Sequence, residues 1–168
     1  MKRSRTCTYH ACGRQSTTHE RSLQLQVNIP TGAEVTVPHA ITQASDIEFS
    51  DDMACPRCKK LLATTSFVQE SWPNVLLVHV ARWRLGACGR RVKDDRNLAF
   101  QPQMQQGDRE YVLRAVVCHS GRSVNSGHYY TCISMSDHWR KMDDERVTEC
   151  GFDTVVKDHA YLLLYEAP

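Results

Sequence analysis

The sequence HSGRSVNSGHYYTCISMSDHWRKMDDERV, residues 119–147, is the most informative part of the chain because its pattern predicts a β-hairpin. Tyr129–Ile133 is rich in strand-forming residues, and Ser134–Asp137 is typical of a turn. Trp139–Met142 can then return as the partner strand. We therefore expect two antiparallel strands joined by a tight turn.

The predicted hairpin brings a histidine close to a carboxylate. A two-residue loop of Met135 and Ser136 places His128 directly opposite Asp143, with the two Cβ atoms about 4.5–5.5 Å apart. A hydrogen bond between these side chains holds the imidazole in one tautomer and stabilises its cationic form. A loop one residue longer brings Asp144 opposite the histidine instead, and turn geometry alone does not choose between the two acids.

A histidine in a strand and two aspartates in a loop are most often ordinary surface residues. Two neighbours favour a site. Gly127, directly before the histidine, removes a side chain where a substrate backbone can approach, and Trp139, before the acid pair, is expected to help exclude water. The residue pattern alone therefore supports a candidate histidine–aspartate dyad and nothing more specific.

The length and charge of the chain limit the classes of function. The 168 residues fit one domain, and 21 Lys and Arg against 19 Asp and Glu give a net charge of +2. This balance does not indicate binding to nucleic acid or to an anionic membrane. No apolar run follows the basic start, and no stretch is long and apolar enough to cross a bilayer, so we expect no secretory signal and a cytoplasmic or nuclear location.

The cysteine spacing predicts a zinc site. In a reducing compartment, eight cysteines indicate metal ligands or buried thiols rather than disulfides. Cys55 and Cys58 form a C-x2-C knuckle, which presents two thiolates to one tetrahedral ion. The second half of the site is Cys7 and Cys12, spaced C-x4-C, although His10 lies between them and can replace either cysteine as a ligand.

Other interpretations of the cysteines remain open. The C-x2-C pair can be a redox pair, although its charged and prolyl surroundings are unlike a redox helix. All four sulfurs can also be unliganded core thiols. Of the remaining cysteines, Cys118 and Cys132 lie in apolar strand patterns and are expected in the core, while Cys88 and Cys150 lie beside glycines in predicted loops.

Apolar periodicity predicts the other elements. Residues 36–44 are expected to form a short helix with Pro38 in its first turn. Alternating or continuous apolar runs predict five further strands. They cover residues 23–29, 75–80, 98–100, 111–117 and 160–165. The run at 75–80 is expected to be buried on both faces.

These segments resemble, in content and in order, the ubiquitin-specific protease family of cysteine deubiquitinases. The apolar strand reads WPNVLLVHVARW at 72–83. The histidine box reads VCHSG at 117–121 and NSGHYY at 125–130. The acid box reads MDD at 142–144, between Trp139 and Val147, and the closing strand reads AYLLLY at 160–165. The resemblance covers the chain from about Cys7 to Tyr165.

The resemblance implies an α+β, papain-like fold that is mostly antiparallel β-sheet. Residues 1–168 would then form part of a catalytic domain. The fingers, with their zinc knuckles, would span about residues 5–65, and the palm, with the histidine and acid boxes, about residues 66–166. The implied function is thiol-dependent removal of ubiquitin from proteins, with ubiquitin and ubiquitinated proteins as partners and a structural zinc ion as cofactor.

The resemblance also implies roles for individual residues. His128 would be the general base and Asp143 the acid that orients it, with Asp144 as an oxyanion-stabilising or supporting acid. Gly127 would line the narrow channel for the Gly-Gly tail of ubiquitin, and Tyr129 would also contact the substrate. Cys7, Cys12, Cys55 and Cys58 would hold the zinc ion.

The chain departs from the family in two respects. Its first knuckle is C-x4-C where the family more often has C-x2-C, which puts Cys7 in question as a ligand. It also contains no Gly-Asn-x-Cys box, which carries the family's nucleophile, so we expect these 168 residues alone to be inert. Two alternatives follow. One is a non-catalytic ubiquitin-binding module, and the other is a zinc-stabilised domain for other partners, including nucleic acid, which the near-neutral charge disfavours.

Overall fold

The computed structural model describes residues 1–32, 35–45, 48–86, 89–121, 123, 126–136, 138–157 and 159–168. Over these residues the chain forms fourteen strands and two short helices. In chain order they are β1 (Lys2–Tyr9), β2 (Arg14–Arg21), β3 (Gln24–Asn28), α1 (Val37–Gln43), β4 (Glu48–Ser50), β5 (Ala63–Ser71), β6 (Val75–Ala81), β7 (Trp83–Leu85), β8 (Arg91–Lys93), β9 (Gln103–Gln106), β10 (Arg109–Ser120), β11 (His128–Ser134), β12 (Trp139–Asp143), β13 (Arg146–Cys150), α2 (Phe152–Val155) and β14 (Ala160–Glu166).

The strands form two main sheets. The smaller sheet has the order β2-β1-β5-β4 and is antiparallel throughout. The larger sheet has the order β13-β12-β11-β10-β14-β6-β3, with β9 also paired to β10. Among the described residues, β3 and β6 are the parallel pair of this sheet. A separate hairpin joins β7 and β8. The predicted dominance of antiparallel strands is confirmed.

The core packs on one face of the larger sheet. β3 alternates as predicted, with Leu25 and Val27 buried between exposed polar neighbours. The predicted helix is confirmed as α1, where the Thr36 hydroxyl accepts a hydrogen bond from the His39 N–H and caps the first turn. Because α1 buries its apolar side chains in the same cluster as β3, the helix covers this face of the sheet.

The opposite face of the larger sheet is less covered, and this changes one prediction. Strand β6 was expected to be buried on both faces, but its burial alternates, and Val75 is 50% exposed. A row of paired residues crosses this face through Leu162, Val117, Thr131, Met142 and Val147. The apolar run of β6 is therefore continuous because side chains on both faces of the strand are apolar. The second face is left open to solvent by the described residues.

The region between β6 and β10 differs most from the sequence-based expectation. Residues 98–100 were predicted as a strand, but among the described residues they make only an isolated bridge, between Ala99 and Thr36. The hairpin of β7 and β8 and the short strand β9 were not predicted. Also, β3 and α1 lie within the range assigned to the fingers, yet both pack with the larger sheet.

Among the described residues, no helix combines the length and the apolar character needed to cross a bilayer.

Candidate active site and thiol cluster

The structure brings the imidazole of His128 against the carboxylate of Asp143. The contact joins His128 Nε2 to Asp143 Oδ1, between the first residue of β11 and the last residue of β12. The two side chains are 47% and 30% exposed, so the imidazole remains open to a reacting group from solvent. The contact that the hairpin predicted is therefore present.

The register that led to this contact is nevertheless different. Ser134 pairs with Trp139 and Thr131 with Met142, so the loop holds four residues rather than two. In this register His128 and Asp143 are diagonal neighbours and not directly opposed. Diagonal neighbours share a face with Cα atoms about 7–8 Å apart, which long side chains span. The predicted pairing is wrong, but the shared face preserves the contact.

The position of Trp139 also differs from the expectation. It begins β12, four residues before Asp143, which in an extended strand is roughly 13 Å away. Its ring packs on Phe152, with the centroids 5.7 Å apart. Trp139 therefore belongs to the core and does not shield the acid pair from water.

The electrostatics of the pair favour an imidazolium beside a carboxylate. The hydrogen bond to Asp143 raises the pKa of His128, and the charges of Asp143 and Asp144 add to this effect against the opposing cost of desolvation. The same bond lowers the pKa of Asp143, with help from Lys141, whose Nζ lies 3.3 Å from Asp143 Oδ2. Sequence reasoning missed Lys141, although its position two residues before Asp143 in one strand places both on the same face.

Asp144 lies beside the pair in the turn between β12 and β13. Its carboxylate belongs to a group with His128 and Asp143 whose nitrogen and oxygen atoms lie within 4.8 Å of one another. Its backbone has φ = +52°, a left-handed conformation that aspartate adopts more readily than most residues. The turn thus holds a second carboxylate close to the imidazole.

Gly127 is required by packing inside the chain. A Cβ atom at this position would overlap the imidazole of His119 and lie 2.6 Å from the carbonyl oxygen of Ser120. The predicted reason was space for a substrate backbone, but His119 occupies the space beside Gly127. His119 is buried, and burial together with the charge of Lys93 lowers its pKa. We did not foresee this role of His119 from the sequence.

Tyr129 combines an exposed surface with a packed ring. It is 56% exposed, and its ring centroid lies 4.5 Å from that of His119 and 5.8 Å from that of Tyr161. The ring is therefore fixed from behind and presents one side to solvent. Asn125 of the histidine box lies outside the described residues.

A second group of reactive side chains lies in turns that connect strands of the smaller sheet. The sulfur atoms of Cys12, Cys55 and Cys58 all lie within 4.8 Å of one another, and the distance from Cys12 to Cys55 is 3.6 Å. Cys7 is not part of this group, and its sulfur lies 3.7 Å from the hydroxyl of Thr65. His10 is exposed and does not join the group either.

Backbone N–H groups stabilise thiolates in this cluster. Burial disfavours the thiolate of Cys55, but the N–H groups of Cys58 and Arg57 donate to its sulfur and lower the pKa of Cys55 to about 7. The N–H of Arg14 acts in the same way on Cys12, although the adjacent sulfurs raise the pKa of Cys12 overall. Three adjacent sulfurs with such donors fit the soft ligand set that zinc prefers.

The other described cysteines lie apart from both groups. Cys118 and Cys132 are buried in β10 and β11, as predicted. Cys150 ends β13 instead of lying in a loop. Cys88 lies outside the described residues. None of the described cysteines joins the group of His128, Asp143 and Asp144.

Comparison with known proteins supports the family assignment. Residues 13–165 match the family model described as ubiquitin carboxyl-terminal hydrolase. The mouse protein ubiquitin carboxyl-terminal hydrolase 17-like protein A is 30% identical over 164 residues, which is 92% of this chain and 31% of that protein. The probable ubiquitin carboxyl-terminal hydrolase 16 of Schizosaccharomyces pombe is 26% identical over 164 residues, with 92% and 36% coverage. The chain thus spans about a third of the length of these relatives.

Solved structures support the fold. The chain superimposes on the SAGA DUB module Ubp8/Sgf11/Sus1/Sgf73 bound to monoubiquitin with a TM-score of 0.82 and 23% identity, covering 99% of this chain and 40% of the matched chain. The module bound to ubiquitin aldehyde matches with a TM-score of 0.79 and 22% identity, covering 99% and 41%. The fold is therefore the papain-like fold of these domains. By its family model and its fold, this chain belongs to the ubiquitin carboxyl-terminal hydrolases of the ubiquitin-specific protease type.

Proposed function

We propose that this chain forms the part of a deubiquitinase catalytic domain that supplies the general base and its orienting acid. The domain would cleave the peptide or isopeptide bond after ubiquitin. The observation that carries the proposal is the contact of His128 with Asp143 at the ends of two paired strands, in a chain that belongs to this family. The exposed imidazole is available to a reacting thiol.

In the proposed mechanism, His128 takes the proton of a cysteine thiol, and the thiolate attacks the carbonyl carbon at the end of ubiquitin. The carbon–nitrogen bond breaks as His128 returns the proton to the leaving amine. A water molecule, deprotonated by His128, then hydrolyses the thioester. Asp143 raises the pKa of His128 and so favours the imidazolium form that follows each proton transfer.

Three neighbours are assigned supporting roles in this proposal. Asp144 adds negative charge near the imidazolium, or stabilises the oxyanion through a bound water. Tyr129 offers an exposed ring as one wall of the channel for the Gly-Gly tail of ubiquitin. Gly127 lies in the same wall, where its missing side chain lets His119 pack close to the backbone.

The thiol in this mechanism has to come from outside the described residues. Cys118 and Cys132 are buried in strands, and none of the described cysteines joins the His128 group. Because the sequence also contains no Gly-Asn-x-Cys box, we expect the 168-residue polypeptide alone to be inactive. The test is incubation with ubiquitin that carries a thiol-trapping electrophile at its C-terminus, followed by mass spectrometry. Covalent labelling of a cysteine in this chain would refute the expectation.

The lack of a described thiol beside His128 also favours a second candidate function, a ubiquitin-binding module without hydrolase activity. The two proposals differ once a segment with a Gly-Asn-x-Cys box is joined to this chain. A hydrolase would then release a fluorophore from the C-terminus of ubiquitin, and His128→Ala would abolish the release. A binding module would bind ubiquitin in calorimetry with the same affinity in both forms and would release no fluorophore.

We further propose a zinc ion at Cys12, Cys55 and Cys58. The support is the contact of three sulfurs, two of which, those of Cys55 and Cys12, accept backbone hydrogen bonds. Elemental analysis of the purified chain is expected to find close to one zinc ion, and Cys55→Ser should remove most of it. Cys150→Ser is the matched control, since Cys150 lies outside the cluster. Equal zinc in all three proteins would eliminate this site.

A further inference from the structure

The two turns that carry the clustered cysteines have matching backbone geometry. In the first turn, the N–H of Gly13 donates to the carbonyl of Tyr9 over 2.9 Å, and Gly13 has φ = +67°. In the second turn, the N–H of Lys59 donates to the carbonyl of Cys55 over 2.9 Å, and Lys59 has φ = +62°. In each turn, therefore, a hydrogen bond joins the carbonyl of the first residue to the N–H of the fifth residue. The fifth residue has a left-handed backbone conformation in both turns.

This match assigns each cysteine an equivalent position. In the second turn, Cys55 is the first residue and Cys58 the fourth, and both contribute sulfur to the cluster. In the first turn, Cys12 is the fourth residue and also contributes sulfur. The first position of that turn belongs to Tyr9. Because a knuckle presents its first and fourth residues to one ion, Tyr9 occupies the position from which a fourth sulfur would reach the metal.

Tyr9 packs into the cluster and is not simply a surface residue near it. Its side chain is 8% exposed and shares a small apolar core with Cys55 and Ala63, against which Cys58 also packs. The two other candidate ligands in this region do not join the group of three sulfurs. Cys7 also packs against the small apolar core, but its sulfur contacts the hydroxyl of Thr65, and His10 is exposed, with its backbone N–H bonded to the carbonyl of Leu62.

We propose that zinc is held at this site by only three thiolates, because Tyr9 occupies the fourth ligand position without supplying a ligand. The last coordination position is then open to water or a small thiol, unlike a closed structural site with four protein ligands. This inference rests on the proposed zinc ion but not on the proposed hydrolase activity. Packing of Tyr9 against Cys55 would then stabilise the end of the smaller sheet in place of a fourth metal bond.

The decisive variant is Tyr9→Cys, which should complete the site. We expect it to bind zinc at least about tenfold more tightly than the wild-type chain in competition with a chromophoric chelator. With cobalt as the probe, the thiolate-to-metal charge-transfer band should grow by about one third, as three sulfurs become four. Added imidazole should shift the cobalt d–d bands of the wild-type chain, whose last position is open, but not those of the variant.

Three control variants test whether the effect is specific to a thiol at position 9. Thr8→Cys adds a thiol one residue earlier, on the opposite face of β1, and should leave metal affinity unchanged. Tyr9→Phe keeps the ring and should also leave it unchanged, because the phenol is not a ligand. Cys55→Ser should lower the affinity, and if it does not, the zinc proposal itself fails.

Several results would overturn the inference while leaving the zinc ion in place. One is an unchanged affinity and cobalt spectrum in Tyr9→Cys. Another is a loss of affinity in Cys7→Ser, His10→Ala or Tyr9→Phe as large as in Cys55→Ser, since it would identify a fourth ligand within the chain. The imidazole response of the wild-type chain needs no variant, so its absence would count against the open position even if Tyr9→Cys did not fold.

Discussion

At the scale of single residues, the function proposed here depends on how the charge of Asp143 acts on His128. The carboxylate contacts the imidazole through Oδ1 and lies 3.3 Å from the ammonium group of Lys141 through Oδ2. Two cations therefore hold one acid in its charged form, and the acid in turn favours the charged imidazole. The arrangement orients the ring as a general base requires.

Asp143→Asn is expected to lower the pKa of His128 from its raised value towards 6.5, because the substitution removes the charge of the main hydrogen-bond partner. The pKa is measured by following the imidazole nitrogens in an NMR titration. Asp144→Asn, which removes a carboxylate that is not hydrogen-bonded to the ring, should produce a smaller change. An identical pKa in the wild-type and Asp143→Asn chains would refute the proposed orientation.

The same pair predicts the sign of a pH dependence. Because folding raises the pKa of His128, its contribution to stability is full below about pH 6.5 and is lost as the pH rises through the folded pKa. Because folding lowers the pKa of Asp143, its contribution is present above about pH 3.8 and is lost as the pH falls through the folded pKa. In Asp143→Asn, the free energy of unfolding should therefore change less as the pH rises through the folded pKa of His128, and less as it falls through the folded pKa of Asp143.

The sequence predicted these residues better than it predicted their geometry. The alternation of β11 and β12 is enough to place His128 and Asp143 on one face, and a shift of two residues in register preserves that face. Loop length was not readable from the composition of residues 134–137, so the direct pairing was wrong. Lys141 and His119 were missed because their importance comes from tertiary contacts: one with the acid, and one with the backbone at Gly127.

At the scale of elements, the end of β6 is tied to the last strand by a buried arginine. Arg82 is 1% exposed, and its Nε donates to the carbonyl of Ala160 over 2.7 Å. Its Nη1 donates to the carbonyls of Asp94 and Arg96 over 3.1 and 2.8 Å. One guanidinium group therefore joins the start of β14 to the segment that follows β8.

Arg82→Met should destabilise the chain by at least about 2 kcal/mol, because it leaves two buried carbonyls and one part-buried carbonyl without their donor, and each unsatisfied buried group costs about 1–3 kcal/mol. The measurement is urea unfolding at constant pH. Arg84→Met, at an exposed position two residues along the chain, is the matched control and should change stability by less than about 0.5 kcal/mol. Equal losses of stability in both variants would show that the buried hydrogen bonds of Arg82 do not stabilise the chain more than an exposed arginine does.

Elements with strong local signals were predicted well, and elements without them were not. Thr36 and Pro38 marked the first turn of α1, and the alternation of Leu25 and Val27 marked β3. Strands β7, β8 and β9 carry no such signal, since they have three or four residues each and are defined by their partners. The order of strands in the larger sheet, with β14 between β10 and β6, also depends on pairings distant in sequence.

At the scale of the whole molecule, the open face of the larger sheet determines how the isolated chain should behave. The core fills one face, while Met142 and Val147 on the other are 37% and 54% exposed, in line with Thr131, Val117 and Leu162. Exposed apolar patches of this kind commonly mark surfaces that are covered in the functional protein or cause association.

We therefore expect the isolated chain to self-associate through this face. Sedimentation velocity over a range of concentrations should show a rising average mass, and thermal unfolding should be broad or irreversible. The double substitution Met142→Lys and Val147→Lys should shift the chain towards monomer, because two charges on one face oppose its burial. Val68→Lys, at an exposed apolar position of the smaller sheet, is the control and should leave association unchanged. A wild-type monomer with a sharp, reversible unfolding transition would show that the open face is stable in water and needs no cover.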